Sequence, residues 1–456
     1  MRELGKPSRQ FLKLCQSRPI LSRALVPILV VPRCSYSSSS TSNASLPGKA
    51  GIDIEAIKAE MLGRPPQVHY DTMHPIKSYL LSKALSDVLP EECYAKQQIS
   101  KETLYNEHHE PPLVPEGHHF VYFPLHLRGS ELCPDGTDPY HSPRGGTPFT
   151  RRMWAGGSIR DLWGMRLDKM NAVCFERIVD AKVQGPAGAE KIFVEVLREY
   201  VTEADIVRPL DVESKTLNES HGDPHNLDSA ALASSSMGSD PNMLHYPLKG
   251  ITEHRTLVFM REPSEKDKKT NLKKKQRVVK APNKPEYAVT VTPTPTLLFH
   301  YSALTYNAHR IHLDRSYCRE VEGYRDLLVH GPLSVTLMLS VLASRLAHDE
   351  NRSELIDSVE YRHLAPLYVG QPMRICVARQ RPRGSKGAKK TSDGEEQRRR
   401  AGENLAEEET AAAAAATTAG LEAQGNKWDV WVENQDGGLC VRGTAETVDT
   451  RRGRRS

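Results

Sequence analysis

The stretch His330-Gly331-Pro332-Leu333-Ser334-Val335-Thr336-Leu337-Met338-Leu339-Ser340-Val341-Leu342-Ala343 decides the fold. As a helix it carries apolar residues on nearly every face, and such a helix has to be buried. Pro332 suits its first turn, where no amide hydrogen is needed, and Gly331 permits close backbone approach just before it. Downstream, with one polar interruption set aside, the pattern predicts strands over 356–363, 373–379, 428–434 and 439–447, and Asp436-Gly437-Gly438 is a hairpin signal between the last two. Another strand is predicted over 296–301. Strands joined by short turns after one apolar helix point to an antiparallel sheet wrapped round that helix.

Outward from this unit, which spans 288–448, residues 263–287 are basic and contain proline, as a solvated connector between domains does. A second unit precedes it over 51–262, with strand alternation at 172–180, 191–201 and 255–261. Two polar stretches interrupt these units. Residues 211–240 are rich in Ser, Asn, Asp and Gly, and 381–426 combine Arg, Lys and Glu with a run of alanines that has no apolar face to bury. Both read as insertions in surface loops. A length of 456 residues fits two or three domains at about 100–200 residues each. Sheet around a central helix is the hot-dog arrangement, so the expected class is α+β.

The first 50 residues hold eight basic residues and one acid, Glu3, with a Ser/Thr run over 35–42. This is the composition of a mitochondrial transit peptide, although a disordered basic arm has the same composition. Removing that +7 from the chain's +5 leaves residues 51–456 at −2, which gives no reason to expect nucleic-acid binding. The longest clean apolar run, 24–31, is far short of the roughly 18 residues that span a bilayer, so no membrane anchor is expected. Residues 449–456 form a basic tail. The eight cysteines lie far apart without a C-x-x-C pair, as ordinary thiols in a reducing compartment do.

The densest chemical signal is Tyr301-Ser302-Ala303-Leu304-Thr305-Tyr306-Asn307-Ala308-His309-Arg310-Ile311-His312-Leu313-Asp314, followed by His330-Gly331-Pro332. It resembles the active-site segment of the MaoC-like, or hydratase-2, family, whose pattern is Asp-x-Asn-Pro-(Leu/Ile)-His followed by a His-Gly turn that opens the central helix. Within that family it is most similar to the fungal mitochondrial hydroxyacyl-thioester dehydratases of type 2 and the related mesaconyl-CoA hydratase group. In the first unit, Arg151-Arg152-Met153-Trp154-Ala155-Gly156-Gly157 and Gly117-His118-His119-Phe120-Val121-Tyr122-Phe123 resemble phrases of a degenerate first hot-dog repeat in those proteins, which implies a double hot-dog of two repeats. The resemblance implies that His312 is the catalytic histidine and that Asn307 occupies the place of the catalytic aspartate. Asparagine orients a hydroxyl or water but cannot exchange a proton as a carboxyl does. His309 stands where the family has Asn, and Arg310 where it has Pro.

These residue types suit a dehydration. Water elimination from a 3-hydroxyacyl thioester takes a proton from C2 and protonates the leaving hydroxyl at C3, while charge gathers on the thioester carbonyl. A histidine near its unperturbed pKa can take the proton and return it to the hydroxyl; His309 is a second possible donor. The amide of Gly331 at the positive end of the helix is the candidate donor to the carbonyl, since Pro332 has none. Loss of one such donor costs about 2.7–4 kcal/mol. His309, Arg310 and His330 are supporting candidates, and Trp154, Gly156 and Gly157 are candidates to line the acyl channel.

The resemblance implies reversible dehydration of (3R)-hydroxyacyl thioesters to trans-2-enoyl thioesters in mitochondrial type II fatty-acid synthesis, in the matrix. The partner would be acyl carrier protein with its phosphopantetheine thioester, or a CoA thioester. No cofactor and no metal are implied, and a monomer or homodimer would serve. Two alternatives stand beside it. One is hydration of an enoyl-CoA or of a short CoA-bound dicarboxylic acid, mesaconyl-CoA-like, with Arg310 pairing the distal carboxylate. The other is a silent acyl-binding scaffold. Without the surrounding pattern His312 would read as a turn histidine, and His309 and His330 as structural. His108, His109, His118, His119, His126 and His141 lack metal-ligand spacing and read as surface or loop residues. The lysine run over 266–280 reads as a solvated linker, with docking of an acidic carrier protein as the sharper possibility.

Overall fold

The structure, a computed structural model, describes residues 53–94, 99–105, 111–144, 147–203, 250–273, 276, 278–348, 354–380 and 426–449. The leader, the basic tail beyond 449, the interruption over 211–240 and that over 381–426 up to residue 425 lie outside the described residues. In chain order the elements are α1 (Ile54–Leu62), β1 (Gln67–Thr72), α2 (Ile76–Ser86), α3 (Lys101–Tyr105), β2 (Arg151–Arg160), β3 (Asn171–Gln184), β4 (Lys191–Thr202) and β5 (Gly250–Met260). Then follow α4 (Glu265–Lys273), β6 (Tyr287–Val291), α5 (Pro295–Thr305), α6 (Gly331–Ala347), β7 (Glu354–His363), β8 (Met373–Arg379), β9 (Lys427–Asn434) and β10 (Leu439–Asp449).

All ten strands form one antiparallel sheet in the order β1-β3-β4-β5-β2-β7-β10-β9-β8-β6. Numbered within its own half, each set of five runs 1-3-4-5-2, and the halves join along their second strands. This is the double hot-dog. The seam pairs Gly156–Ile159 of β2 with Arg362–Val359 of β7. It explains Gly156, because a Cβ there would lie 2.5 Å from the Tyr361 carbonyl of β7, whereas Gly157 is required on the opposite side of β2, where a Cβ would lie 2.2 Å from the His254 carbonyl of β5.

Helix α6 is buried from Leu333 to Ser344. Polar residues survive inside because their hydroxyls bond backbone carbonyls: Ser334 to His330, Thr336 to Pro332 and Gly117, Ser340 to Thr336, and Ser344 to Glu92. The first half is covered differently. Against β4 lies the 3₁₀ turn His118–Val121 with the residues after it, where the His119 ring meets Tyr200 and Arg198 donates to the Phe123 carbonyl. Among the described residues no helix as long as α6 crosses that half. A tight fit joins turn and helix, since a Cβ on Gly117 (φ 79°) would come within 2.8 Å of Thr336 Cα.

The strand expected over 296–301 is instead the helix α5. Thr294 caps it by accepting the Leu297 amide, and Pro295 occupies the first turn. Leu297, Leu298, Tyr301 and Ser302 are buried while Phe299 is 59% exposed, which is helical rather than alternating burial. The connector contains α4, which buries none of its residues. Of the histidines expected at the surface or in loops, His118, His119 and His141 lie in turns and loops but are buried, whereas His126 is exposed and His108 and His109 lie outside the described residues. The six described cysteines are free thiols.

Candidate active site

Helix α5 ends at Tyr306 in the left-handed region (φ 52°). The chain then reverses: the Asn307 amide donates to the Ser302 carbonyl at 2.8 Å, and the Asn307 side-chain oxygen accepts the His309 amide at 3.0 Å. Arg310–His312 forms a 3₁₀ turn held from two sides. The Arg310 amide donates to the carbonyl of Asp135 in the first half at 2.8 Å, and the Leu328 amide donates to Ile311 at 2.9 Å.

The turn presents His312 in a defined state. Its Nδ1–H donates to the Leu328 carbonyl at 2.8 Å, so the lone pair lies on Nε2. Burial pushes its pKa down to about 4; the Leu328 bond opposes this and the charge of Arg152 adds to it. The ring is therefore neutral near pH 7 and competent as a base. His330, immediately before α6, stacks on His312 with centroids 3.7 Å apart and shares a 2.9 Å hydrogen bond with Ser302 Oγ. Burial, with His312 and His309 adding, holds its pKa well below the usual range. His309 meets His312 edge-on at 5.5 Å, with Nε2 3.6 Å from an Asp135 carboxylate oxygen. That gap is too long for a hydrogen bond, and burial again dominates, pushing the pKa of His309 well down.

Gly331 opens α6, so its amide has no acceptor within the helix, and His330 supplies no side-chain cap. A Cβ at Gly331 would stand 3.0 Å from both Trp154 Cβ and His363 Nε2. His312, His309, His330, Asn307, Gly331 and Trp154 line one cavity of about 510 Å³. Three of the predicted site residues do not. Gly156 serves the β2–β7 seam and Gly157 the close approach of β5, and Arg310 is half exposed, bonded to Asp314 and laid over Tyr317. Two lining features were missed from sequence. His363 has no hydrogen-bond partner for either ring nitrogen among the described residues, and burial lowers its pKa to about 4. Its alternation with buried Val359 and Tyr361 was the available signal. The second is a charged lobe in the first half, with Arg152, Asp138, His141, Glu176, Arg198 and Arg255.

The chain matches the family described as hydroxyacyl-thioester dehydratase type 2 over residues 117–219 and 245–369, half of its length. It belongs to that family. Among proteins similar to this dehydratase is the mitochondrial hydroxyacyl-thioester dehydratase type 2 of Schizosaccharomyces pombe, 29% identical over 58% of this chain and 77% of the relative. The Saccharomyces cerevisiae protein of the same name is 25% identical over 57% of this chain and 75% of its own. A mesaconyl-C(4)-CoA hydratase of Chloroflexus aurantiacus is 45% identical over 21% of this chain and 31% of the relative. A MaoC-like dehydratase structure from Phytophthora capsici superposes with a TM-score of 0.46 at 11% identity, covering 86% and 98% of the two chains. The dehydratase is thus a hydro-lyase of the hot-dog class.

Proposed function

We propose that this enzyme dehydrates (3R)-hydroxyacyl thioesters to trans-2-enoyl thioesters on acyl carrier protein, in the fatty-acid synthesis of the mitochondrial matrix. One observation carries the chemistry: a neutral His312 whose Nδ1–H is held by Leu328, in the same cavity as the opening residue of α6. Nε2 takes the proton from C2 and its electron pair forms the C2–C3 double bond. The C3–O bond breaks, and the imidazolium returns its proton to the departing hydroxyl, which leaves as water. Negative charge on the thioester oxygen is met by the Gly331 amide, aided by the dipole of a 17-residue helix.

Asn307 holds the turn through the His309 amide, so its place in the mechanism is to position His312 rather than to move a proton. A single histidine then serves both half-steps, and the pair of titrating groups that an aspartate would provide is not needed. The mitochondrial setting is supported by the names of the yeast relatives and by the composition of the first 50 residues, and the thioester class by the same names; the carrier protein is what the family resemblance implies. The test is an assay of purified protein with (3R)-hydroxyacyl thioesters of several lengths on carrier protein and on CoA. Formation of the enoyl product, faster from the carrier, is expected; absence of turnover on every thioester would refute the proposal.

A further inference from the structure

A thioester oxygen that gathers charge has room for two donors, and the Gly331 amide is one of them. A second donor stands beside it. His363 ends β7 and lines the cavity, and a Cβ on Gly331 would lie 3.0 Å from its Nε2. A Cβ sits about 2.5 Å from the amide nitrogen of its own residue, so the Gly331 nitrogen and His363 Nε2 are at most about 5.5 Å apart. An oxygen that accepts two N–H bonds of about 2.9 Å bridges nitrogens up to about 5.8 Å apart. One substrate oxygen therefore has the reach to bond both.

The ring is held in place yet has nothing to bond. His363 pairs with Val441 of β10, another cavity residue, and the amides of Leu364 and Ala365 just after it both donate to the Cys440 carbonyl, at 2.7 and 3.2 Å. On the same wall Trp154 and Tyr361 satisfy each other, since Trp154 Nε1–H donates to the Tyr361 hydroxyl at 3.1 Å. Both nitrogens of His363 are buried and neither has a hydrogen-bond partner among the described residues. A buried polar group left unpaired costs about 1–3 kcal/mol, a cost that an incoming oxygen would relieve. Burial lowers the pKa of His363 to about 4, so the ring is neutral near pH 7. A neutral ring suits this place, because an imidazolium would be repelled by the positive end of α6 while a neutral Nε2–H still donates.

We propose that His363 is a second catalytic donor, whose Nε2–H binds the thioester oxygen together with the Gly331 amide as the C2 proton leaves and charge moves onto that oxygen. No covalent bond to His363 forms or breaks; the proton taken by His312 returns to the departing hydroxyl. The proposal rests on the dehydratase function above and adds a residue to it.

The test joins turnover of a (3R)-hydroxyacyl-CoA to a readout without turnover: the infrared carbonyl stretch of trans-2-butenoyl-CoA, labelled with carbon-13 at the carbonyl and bound to His312→Ala. His363→Phe removes the N–H and keeps a flat ring, whereas His363→Gln keeps an N–H at similar reach. His363→Phe should lose about 10²- to 10³-fold in kcat with KM little changed, and His363→Gln should recover at least about tenfold of that loss. The bound carbonyl should stretch at a lower frequency on His312→Ala than on the double variant His312→Ala, His363→Phe. If His363→Phe does not fold, His363→Leu takes its place with the same expectations. Wild-type kcat in the variant without a donor, equal losses in it and in His363→Gln, or a carbonyl stretch that the substitution does not move would each overturn the role of His363. A wild type that turns over no thioester, while the stretch still depends on His363, would instead overturn the dehydratase function and leave the donor standing.

Discussion

The His312 ring is set by one bond and one environment, and each makes a prediction. The Leu328 carbonyl fixes the tautomer, and burial keeps the ring neutral with a pKa near 4. Because the base form exists above that value, kcat/KM should rise with pH through about 4 to 5 and stay level through pH 7. A pH–rate profile with an ascending limb near the ordinary histidine value of about 6.5 would mean the ring is not desolvated in the free enzyme. Asn307 makes a different prediction. It joins the turn through the His309 amide, so Asn307→Ala should lower kcat through a misplaced His312, whereas Asn307→Asp, which keeps the acceptor, should retain most activity. If the aspartate variant were as impaired as the alanine one, Asn307 would act through its NH₂ group on substrate, not by holding the turn.

At the scale of elements, the active-site turn is clasped between halves. The loop of the first half approaches so closely that a Cβ at Gly136 (φ 84°) would fall 2.1 Å from the Ala308 carbonyl oxygen. Both groups are backbone and neither can swing aside. Gly136→Ala should therefore cost stability on the order of 1–3 kcal/mol and reduce kcat together, measured by urea unfolding and by turnover of the same preparation. Wild-type kcat in a destabilised Gly136→Ala would show that the loop supports folding only. Helix α6 was legible from sequence because its apolar residues surround the axis, and the strands after it because they alternate. Helix α5 was not, because Thr296 to Tyr301 has strand-forming composition and the cap at Thr294 decided the outcome. Gly331 and His312 could be found from a local pattern. Arg152, Arg198, Arg255 and His363 come together only through the pairing of β2 with β5 and β7, β4 with β5, and the packing of α6, which no local spacing encodes.

Across the whole molecule, several buried histidines are held neutral: His118 near pKa 3, and His119, His312 and His363 near 4, all by burial. In the unfolded chain these would take protons from about pH 6.5 downward, and the folded chain resists until about 4. Each therefore removes stability as pH falls from 6.5 towards 4, at about 1.4 kcal/mol per unit. His141 has the opposite sign: with its pKa raised to about 9, its contribution is full below 6.5 and fades as pH rises through 9. With His309 and His330, which burial also holds well below the usual range, six against one makes the molecule acid-labile, and urea unfolding should show a loss of several kcal/mol between pH 7 and pH 5. A midpoint unchanged over that interval would show that the histidines are hydrated in solution.

The most direct test of the central claim is turnover of a (3R)-hydroxyacyl thioester by wild type and His312→Ala, both verified as folded by circular dichroism. Proton transfer by one positioned histidine predicts a loss of about 10²- to 10⁴-fold in kcat for the alanine variant with KM little changed. Equal turnover by the two proteins would contradict it.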